Sequence, residues 1–284
     1  MLLEFQQIKY KEHILFERGK IKPPFGYEAV LEERACFFYV VKGNYETLDP
    51  FGSIRLGSKE ALLKRCGNHL SRYPRTTQNT DWLGIVVYFY PEIIKEVFKN
   101  EIPSFFEENQ PAKPPIQVFS VDLVDGFMQN LSVYFDNPEL MDEELAAVKL
   151  KELILLLLKK EDQSSVRKFF SEIFYPGKLD FLSTVENNVC SAISVKELAF
   201  LCNMSVSNFK RQFQKHFNDS PARYLKTRKL EKASQLLKIS DSRINEIAYG
   251  CGFQDVTTFS SSFHQYFGQS PSQYRQEQIQ RRAY

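Results

Sequence analysis

The chain has 284 residues, 43% apolar and 25% charged, with a net charge of +2, which suits a soluble globular protein with enough core for two domains. Its apolar runs, Leu153–Leu158 among them, are far short of the roughly 20 residues that cross a bilayer, and its first residues lack the pattern of a secretory leader. These features argue against a membrane or secreted protein and lead us to expect a cytoplasmic one.

Five cysteines (Cys36, Cys66, Cys190, Cys202 and Cys251) are odd in number, widely spaced and form no Cys-x-x-Cys pair. That argues against a disulfide framework and a zinc ribbon. The small net charge hides an asymmetry. Residues 181–284 carry 14 Lys/Arg against 8 Asp/Glu, whereas residues 1–180 carry 23 against 27. A basic module joined to a mildly acidic one is what a protein would show if only its C-terminal part met a polyanion.

In chain order, residues from about 10 to 90 read as short strands. "ACFFYVV" (Ala35–Val41) is β-branched and aromatic and is followed by a tight turn at Gly43-Asn44; "WLGIVVYFY" (Trp82–Tyr90) is a second clear strand. Such spacing predicts a small antiparallel barrel or sandwich. After Pro91 the texture becomes helical, and "ENQPAKPP" (Glu108–Pro115) reads as a connector. Two helices are predicted next, about Val118–Phe135 and Glu139–Lys160. The second has an apolar face built from Leu145, Val148, Leu153, Leu156 and Leu157. This pair serves either as a dimerisation element or as core helices of the first domain. A further helical segment, about Val166–Phe174, leads to the C-terminal part.

That part is duplicated. "FKRQFQKHFNDSPARY" and "FSSSFHQYFGQSPSQY" place Phe209, Phe213, Phe217, Ser220, Pro221 and Tyr224 fifty residues before Phe259, Phe263, Phe267, Ser270, Pro271 and Tyr274. Upstream, Glu197/Glu246, Ala199/Ala248 and Cys202/Cys251 are 49 apart, so the extra residue falls in a turn. Ser194 and Glu197 form a capping-box signature that opens one short helix. Ser205 can cap a second, whose phenylalanines share a face. Two short helices joined by a tight turn form a helix-turn-helix unit, here spanning 194–217 and again 243–267. Ser-Pro then opens the next helix, with serine as N-cap and proline in the first turn. The helix from Pro221 to about Lys238 would link the units over roughly 27 Å.

The run from Met204 to Arg275, with "RKLEKASQLL", "INEIAYGCGF" and "FGQSPSQYR" as its most diagnostic pieces, closely resembles the DNA-binding domain of AraC/XylS-type transcription regulators. "ACFFYVVKGNYETL" and "KEALLKRCGNHL" are more weakly similar to the subset that includes activators of type III secretion. The resemblance implies an α+β fold: an N-terminal cupin-like antiparallel β-barrel or sandwich with dimerisation helices, and a C-terminal all-α domain of two helix-turn-helix units joined by a linker helix. The implied domains are a regulatory part (1–115), a helical dimerisation or connector segment (116–178) and a DNA-binding part (179–284).

Carried onto this sequence, the resemblance assigns base contacts to Ser207, Asn208, Lys210, Arg211 and Gln214 in the first unit and to Thr257, Thr258, Ser260 and Ser261 in the second. Arg211 is the expected guanine reader. Ser261 departs from the arginine often found in the family, so the first unit is expected to carry more of the base specificity. Phosphate contacts are expected from Ser205, Lys226, Arg228, Lys229 and Arg275. Asn218 replaces the usual glycine before Ser-Pro, a change a left-handed backbone tolerates. Implied partners are double-stranded promoter DNA, RNA polymerase, a second copy of the chain, and a small-molecule effector or a regulatory protein at the N-terminal domain.

A cupin-type metal enzyme is the contrasting reading. His13, His69, His216 and His264 are scattered, without the clustered His/Glu set that iron or zinc requires, and no phosphate-binding loop or nucleophile elbow is present. The expectation is therefore a regulator, an activator by family habit, with no catalytic residue, metal or cofactor. A regulator without an effector, controlled by a protein partner, stays open. Phe37, Phe38, Tyr39, Trp82 and Tyr88 either line an effector pocket or form plain core.

Overall fold

The computed structural model describes residues 2–31, 34–65, 67–74, 81–98, 116–118, 122–159, 163–174 and 181–282. The chain divides into two compact units, Met1–Leu179 and Asp180–Tyr284.

The first unit is built on two antiparallel sheets. One runs β1 (Leu2–Tyr10), β2 (His13–Ile21), β9 (Trp82–Phe89), β4 (Ala35–Lys42), β7 (Ala61–Lys64) and β10 (Ile116–Val118). The other runs β3 (Phe25–Leu31), β8 (Gly67–Tyr73), β5 (Tyr45–Asp49) and β6 (Gly52–Leu56). Strand β4 explains why "ACFFYVV" is apolar at every position rather than at alternate ones. Cys36, Phe38 and Val40 enter the core between the two sheets, with Trp82, Tyr45 and Tyr73. Phe37 and Tyr39 point the other way, into a core that takes in the helices. A strand buried on both faces loses its polar alternation.

Those helices are α1 (Pro91–Val97), α2 (Asp122–Asp136), α3 (Glu143–Leu158) and α4 (Gln163–Phe174). Leu131, Leu150, Ile154, Phe169 and Phe170 from them pack with Phe16, Val87 and Phe89 of the first sheet. Three details correct the sequence reading. The helix expected from Val118 begins at Asp122, because Ile116–Val118 pairs with Leu63, Leu62 and Ala61 along the edge of β7. The next helix begins at Glu143, not Glu139: Pro138–Leu140 makes a short 3-10 turn, and Asp142 caps α3 by accepting from the Leu145 N–H at 2.8 Å. On α3 the buried stripe is Ala146, Leu150, Leu153, Ile154 and Leu157, whereas Val148 is 55% exposed. The connector 108–115 lies outside the described residues.

The second unit is all helical: α5 (Phe181–Asn187), α6 (Val195–Leu201), α7 (Val206–Phe217), α8 (Pro221–Ile239), α9 (Ile244–Gly250), α10 (Val256–Phe267) and α11 (Pro271–Arg282). It has two separate cores, one for each copy of the repeat. Val185, Leu198, Ala199, Phe209 and Phe213 form one with Leu225 of α8. Ile247, Ala248, Phe259 and Phe263 form the other with Leu230, Ala233 and Leu237 of the same helix. The first half of α8 thus serves one copy and its second half the other.

Candidate nucleic-acid interface

The first copy assembles as its sequence dictates. The Ser194 N–H donates to Glu197 Oε2 at 2.8 Å and the Glu197 N–H to Ser194 Oγ at 3.2 Å, a reciprocal cap that fixes the start of α6. Residues 202–205 turn the chain, with Asn203 at φ 54°. Ser205 Oγ then accepts from the Asn208 N–H at 3.3 Å and starts α7. Phe209 and Phe213 are fully buried, so α7 can show only one face to solvent. On it Ser207, Lys210, Arg211 and Gln214 are exposed and Asn208 is half-buried. Arg211 Nη2 donates to Asn208 Oδ1 at 3.0 Å, one helical turn away, which aims the guanidinium along the outer face.

The second copy repeats this with one more residue in its turn, 251–255 against 202–205, where the change from a 49- to a 50-residue offset placed it. The Arg243 N–H donates to Glu246 Oε2 at 2.9 Å at the start of α9. Asp255 caps α10, its carboxylate accepting from the Thr258 N–H at 2.6 Å and the Thr258 hydroxyl at 2.7 Å. Those bonds hold the Asp255 carboxyl below the usual carboxylate range, the Thr258 N–H contributing most. Phe259 and Phe263 are fully buried; Thr257, Thr258 and Ser261 are exposed and Ser260 is half-buried. The hydroxyl hydrogen of Thr258 is thus already engaged by Asp255, which leaves it chiefly an acceptor.

The helices after each unit differ in one detail. Both Ser220 and Ser270 precede a proline that opens a helix, but only Ser270 Oγ takes up a first-turn amide, that of Gln273 at 3.3 Å. Asn218 and Gly268 both end their helices in the left-handed conformation, at φ 50° and 76°.

The candidate phosphate contacts fall into two groups. Ser205 and Lys226 are exposed. Arg228 is also exposed and pairs with Glu186 at 3.4 Å and Glu231 at 3.3 Å, surface pairs of about 0–1 kcal/mol each that a phosphate could replace. The other two are engaged inside the unit. Lys229 Nζ donates to the Ser191 carbonyl at 2.9 Å and the Gly252 carbonyl at 3.0 Å, and burial lowers its pKa. Arg275 Nη2 donates to the Ser242 carbonyl at 2.8 Å. A phosphate at Lys229 would have to replace its two carbonyl bonds, whereas Arg275 spends one of its donors, Nη2, on a single carbonyl. Helical position alone could not reveal this, because the acceptors lie 23 to 38 residues away in sequence.

The first unit holds a cavity of about 390 Å³, lined among others by Phe38, Tyr73, Trp82, Tyr88, Glu17 and Lys64. Of the five aromatic residues singled out from sequence, Phe38, Trp82 and Tyr88 line it; Phe37 and Tyr39 belong to the core on the opposite face of β4. Lys64, 3% exposed, donates to the Tyr45 hydroxyl at 2.9 Å. Glu17 accepts from Gln7 at 3.1 Å and Tyr88 at 3.0 Å, and burial raises its pKa. Among the described residues, no group of three or more His, Cys, Asp or Glu side chains could hold a metal ion. Nor, among them, is any helix long and apolar enough to cross a membrane.

Comparison with known proteins adds two family matches. Residues 198–277 match the model of a helix-turn-helix domain, and residues 35–169 match that of the ExsA N-terminal regulatory domain. The HTH-type transcriptional activator RhaS of Escherichia fergusonii is 36% identical over 95 residues, 34% of this chain and 34% of its own. RhaS of Salmonella arizonae is 30% identical over 175 residues, 61% of this chain and 58% of its own. The chain thus spans about a third of the first of these relatives and just over half of the second. The crystal structure of ToxT from Vibrio cholerae with a bound unsaturated fatty acid aligns with 92% of this chain and 94% of its own, at 14% identity and a TM-score of 0.39.

Proposed function

We propose that this chain, which belongs to the AraC-type helix-turn-helix regulators, is a sequence-specific transcription regulator that inserts α7 and α10 into adjacent major grooves of promoter DNA. The observation that carries this reading is the pair of cores sharing one linker helix. Each buries a phenylalanine face and leaves a polar recognition face outward, whether cationic (Lys210, Arg211) or hydroxyl-bearing (Thr257, Thr258, Ser260, Ser261). Arg211, steered by Asn208, is the principal base reader; Ser207, Lys210 and Gln214 complete the first contact set. Ser205, Lys226 and Arg228 make the phosphate contacts.

In this reading residues 179–284 are the DNA-binding domain, 1–115 a cupin-like regulatory domain and 116–178 a helical segment for dimerisation. Residues of both sheets of the first unit line the cavity, which supports an effector site there. The role in this reading is regulatory rather than catalytic; the RhaS relatives are named transcriptional activators, which supports activation, with RNA polymerase as the proposed partner.

The test is binding of the purified chain to its own upstream DNA across a salt series, with Arg211→Ala alongside. Wild type should bind with a steep salt slope. The variant should lose about 1–3 kcal/mol, and with it discrimination at one base position. A wild-type protein without sequence preference at any salt, both full-length and as residues 181–284, would refute the reading.

A further inference from the structure

We propose that Lys229 is a positioning residue that fixes the separation of the two recognition helices, and with it the half-site spacing the protein accepts. The inference rests on the reading that both α7 and α10 enter DNA. It starts from where α8 changes allegiance. Leu225 belongs to the first core and Leu230 to the second, and Lys229 lies between them. Were apolar packing the whole connection, the copies would be joined only through a shared helix.

A direct junction exists as well. The backbone of Cys190 and Ser191, just before α6 of the first copy, lies against Gly252 in the turn of the second. A Cβ on Gly252 would fall 2.3 Å from the Cys190 carbonyl oxygen and 2.9 Å from that of Ser191. Gly252 also sits at φ 78°, so the conformation favours glycine there and the lack of space requires it. The two carbonyls at this junction, of Ser191 and Gly252, receive one ammonium, that of Lys229, at 2.9 and 3.0 Å. One cation held by carbonyls of both copies resists any sliding or hinging that would separate them. Charge-assisted bonds in a partly desolvated place are the strong kind. Lysine is suited to this, since its flexible stem runs along α8 and its head offers three donors.

The assay uses duplexes selected by the wild-type full chain from a randomised pool, together with versions carrying one base pair more or fewer between half-sites. Wild type, Lys229→Met and Lys229→Arg are titrated against each. Wild type should prefer the selected spacing by about tenfold or more, since one base pair both shifts and rotates the second groove. Lys229→Met keeps the apolar stem and removes the donors; its spacing preference should shrink at least about fivefold, and Lys229→Arg should restore most of it. The ratio is taken within one protein preparation, so partial unfolding cancels. An unchanged ratio in Lys229→Met overturns the proposal. So does a uniform loss at every spacing with a shallower salt slope, which would make Lys229 a phosphate contact.

If the wild type selects no sequence, the DNA reading itself fails, and a DNA-free measurement decides whether Lys229 positions the helices. Nitroxide-bearing amino acids at Ser207 and Ser261 report the distance between α7 and α10 by pulsed electron resonance. Lys229→Met should broaden that distribution; equal widths in the two proteins refute the role.

Discussion

Truncating the buried phenylalanines tests the two-core architecture quantitatively. Phe213 and Phe263 are each fully buried and share three equivalent ring neighbours, while Phe213 has a fourth, Phe181 at 6.2 Å. Phe213 has Phe209, Phe217 and Tyr224 at 5.5, 4.5 and 5.4 Å between ring centres; Phe263 has Phe259, Phe267 and Tyr274 at 5.5, 4.5 and 5.4 Å. Removing a buried phenyl ring forfeits roughly 100 Å² of apolar burial, about 2.5 kcal/mol at about 25 cal/mol per Å². Lost aromatic contacts and the residual cavity add to this, giving about 3–5 kcal/mol for either Phe→Ala change. Phe217 is only half-buried, so Phe217→Ala should cost about half as much. Denaturant unfolding followed by ellipticity at 222 nm measures these costs. Trp82, the sole tryptophan and part of the β-sheet unit, reports by its fluorescence that this unit is folded in each variant. Phe213→Ala and Phe263→Ala should agree within about 1.5 kcal/mol, with Phe213→Ala the costlier because it also loses the Phe181 ring. A cost below about 1.5 kcal/mol at either site, or a Phe217→Ala cost equal to that of Phe213→Ala, would refute the packing argument.

Two further predictions concern the first unit. Burial pushes the Asp49 carboxyl up to about 6 from its ordinary 3.8, against the opposing bond from the Phe51 N–H at 2.7 Å. The folded chain therefore holds that proton more tightly than the unfolded one. The resulting stability is full below about pH 4 and is lost as pH rises through about 6. Asp49→Asn should flatten the unfolding midpoint between those values, and an unchanged slope would show that another group governs it. On α3, Val148 and Leu155 are 55% and 41% exposed and seven residues apart on one face. If this face carries the proposed dimerisation, Val148→Asp with Leu155→Asp should give a monomer by sedimentation at unchanged melting temperature; a dimer that persists would place self-association elsewhere.

How much of this was legible in the sequence depended on whether the forces involved were local. The capping box at Ser194, the turn insertion before Asp255 and the phenylalanine faces are set by residues within a few positions of one another, and their periodicity displays them. Strand β1 was missed because Leu2, Leu3 and Phe5 lie exposed on a sheet edge, so no buried alternation marks it. The stripe on α3 was misread because six consecutive apolar residues follow Glu152, a run that fits several faces equally well. The internal partners of Lys229 were hidden for the opposite reason. Its helical position suggested solvent, and only the meeting of segments 38 residues before it and 23 after it supplied carbonyls for its ammonium.

The two copies have diverged according to what surrounds each position. Three turns or helix ends hold a residue in the left-handed conformation. Asparagine serves at Asn203 and Asn218, and Gly268 has nothing within 4 Å of where a Cβ would stand. Gly252 alone of the second copy's left-handed residues faces a backbone within 2.3 Å, and asparagine could not replace it there. Charge has diverged in the same manner. Helix α7 exposes Lys210, Arg211 and Lys215, whereas α10 carries no lysine or arginine and begins at the ionised Asp255. Counterion release scales with the number of phosphates neutralised, so the salt dependence of binding should come mostly from the first copy. In the proposed reading the second, tethered at a set distance by α8 and Lys229, contributes shape and hydroxyl contacts without needing affinity of its own, because the first brings it to the groove.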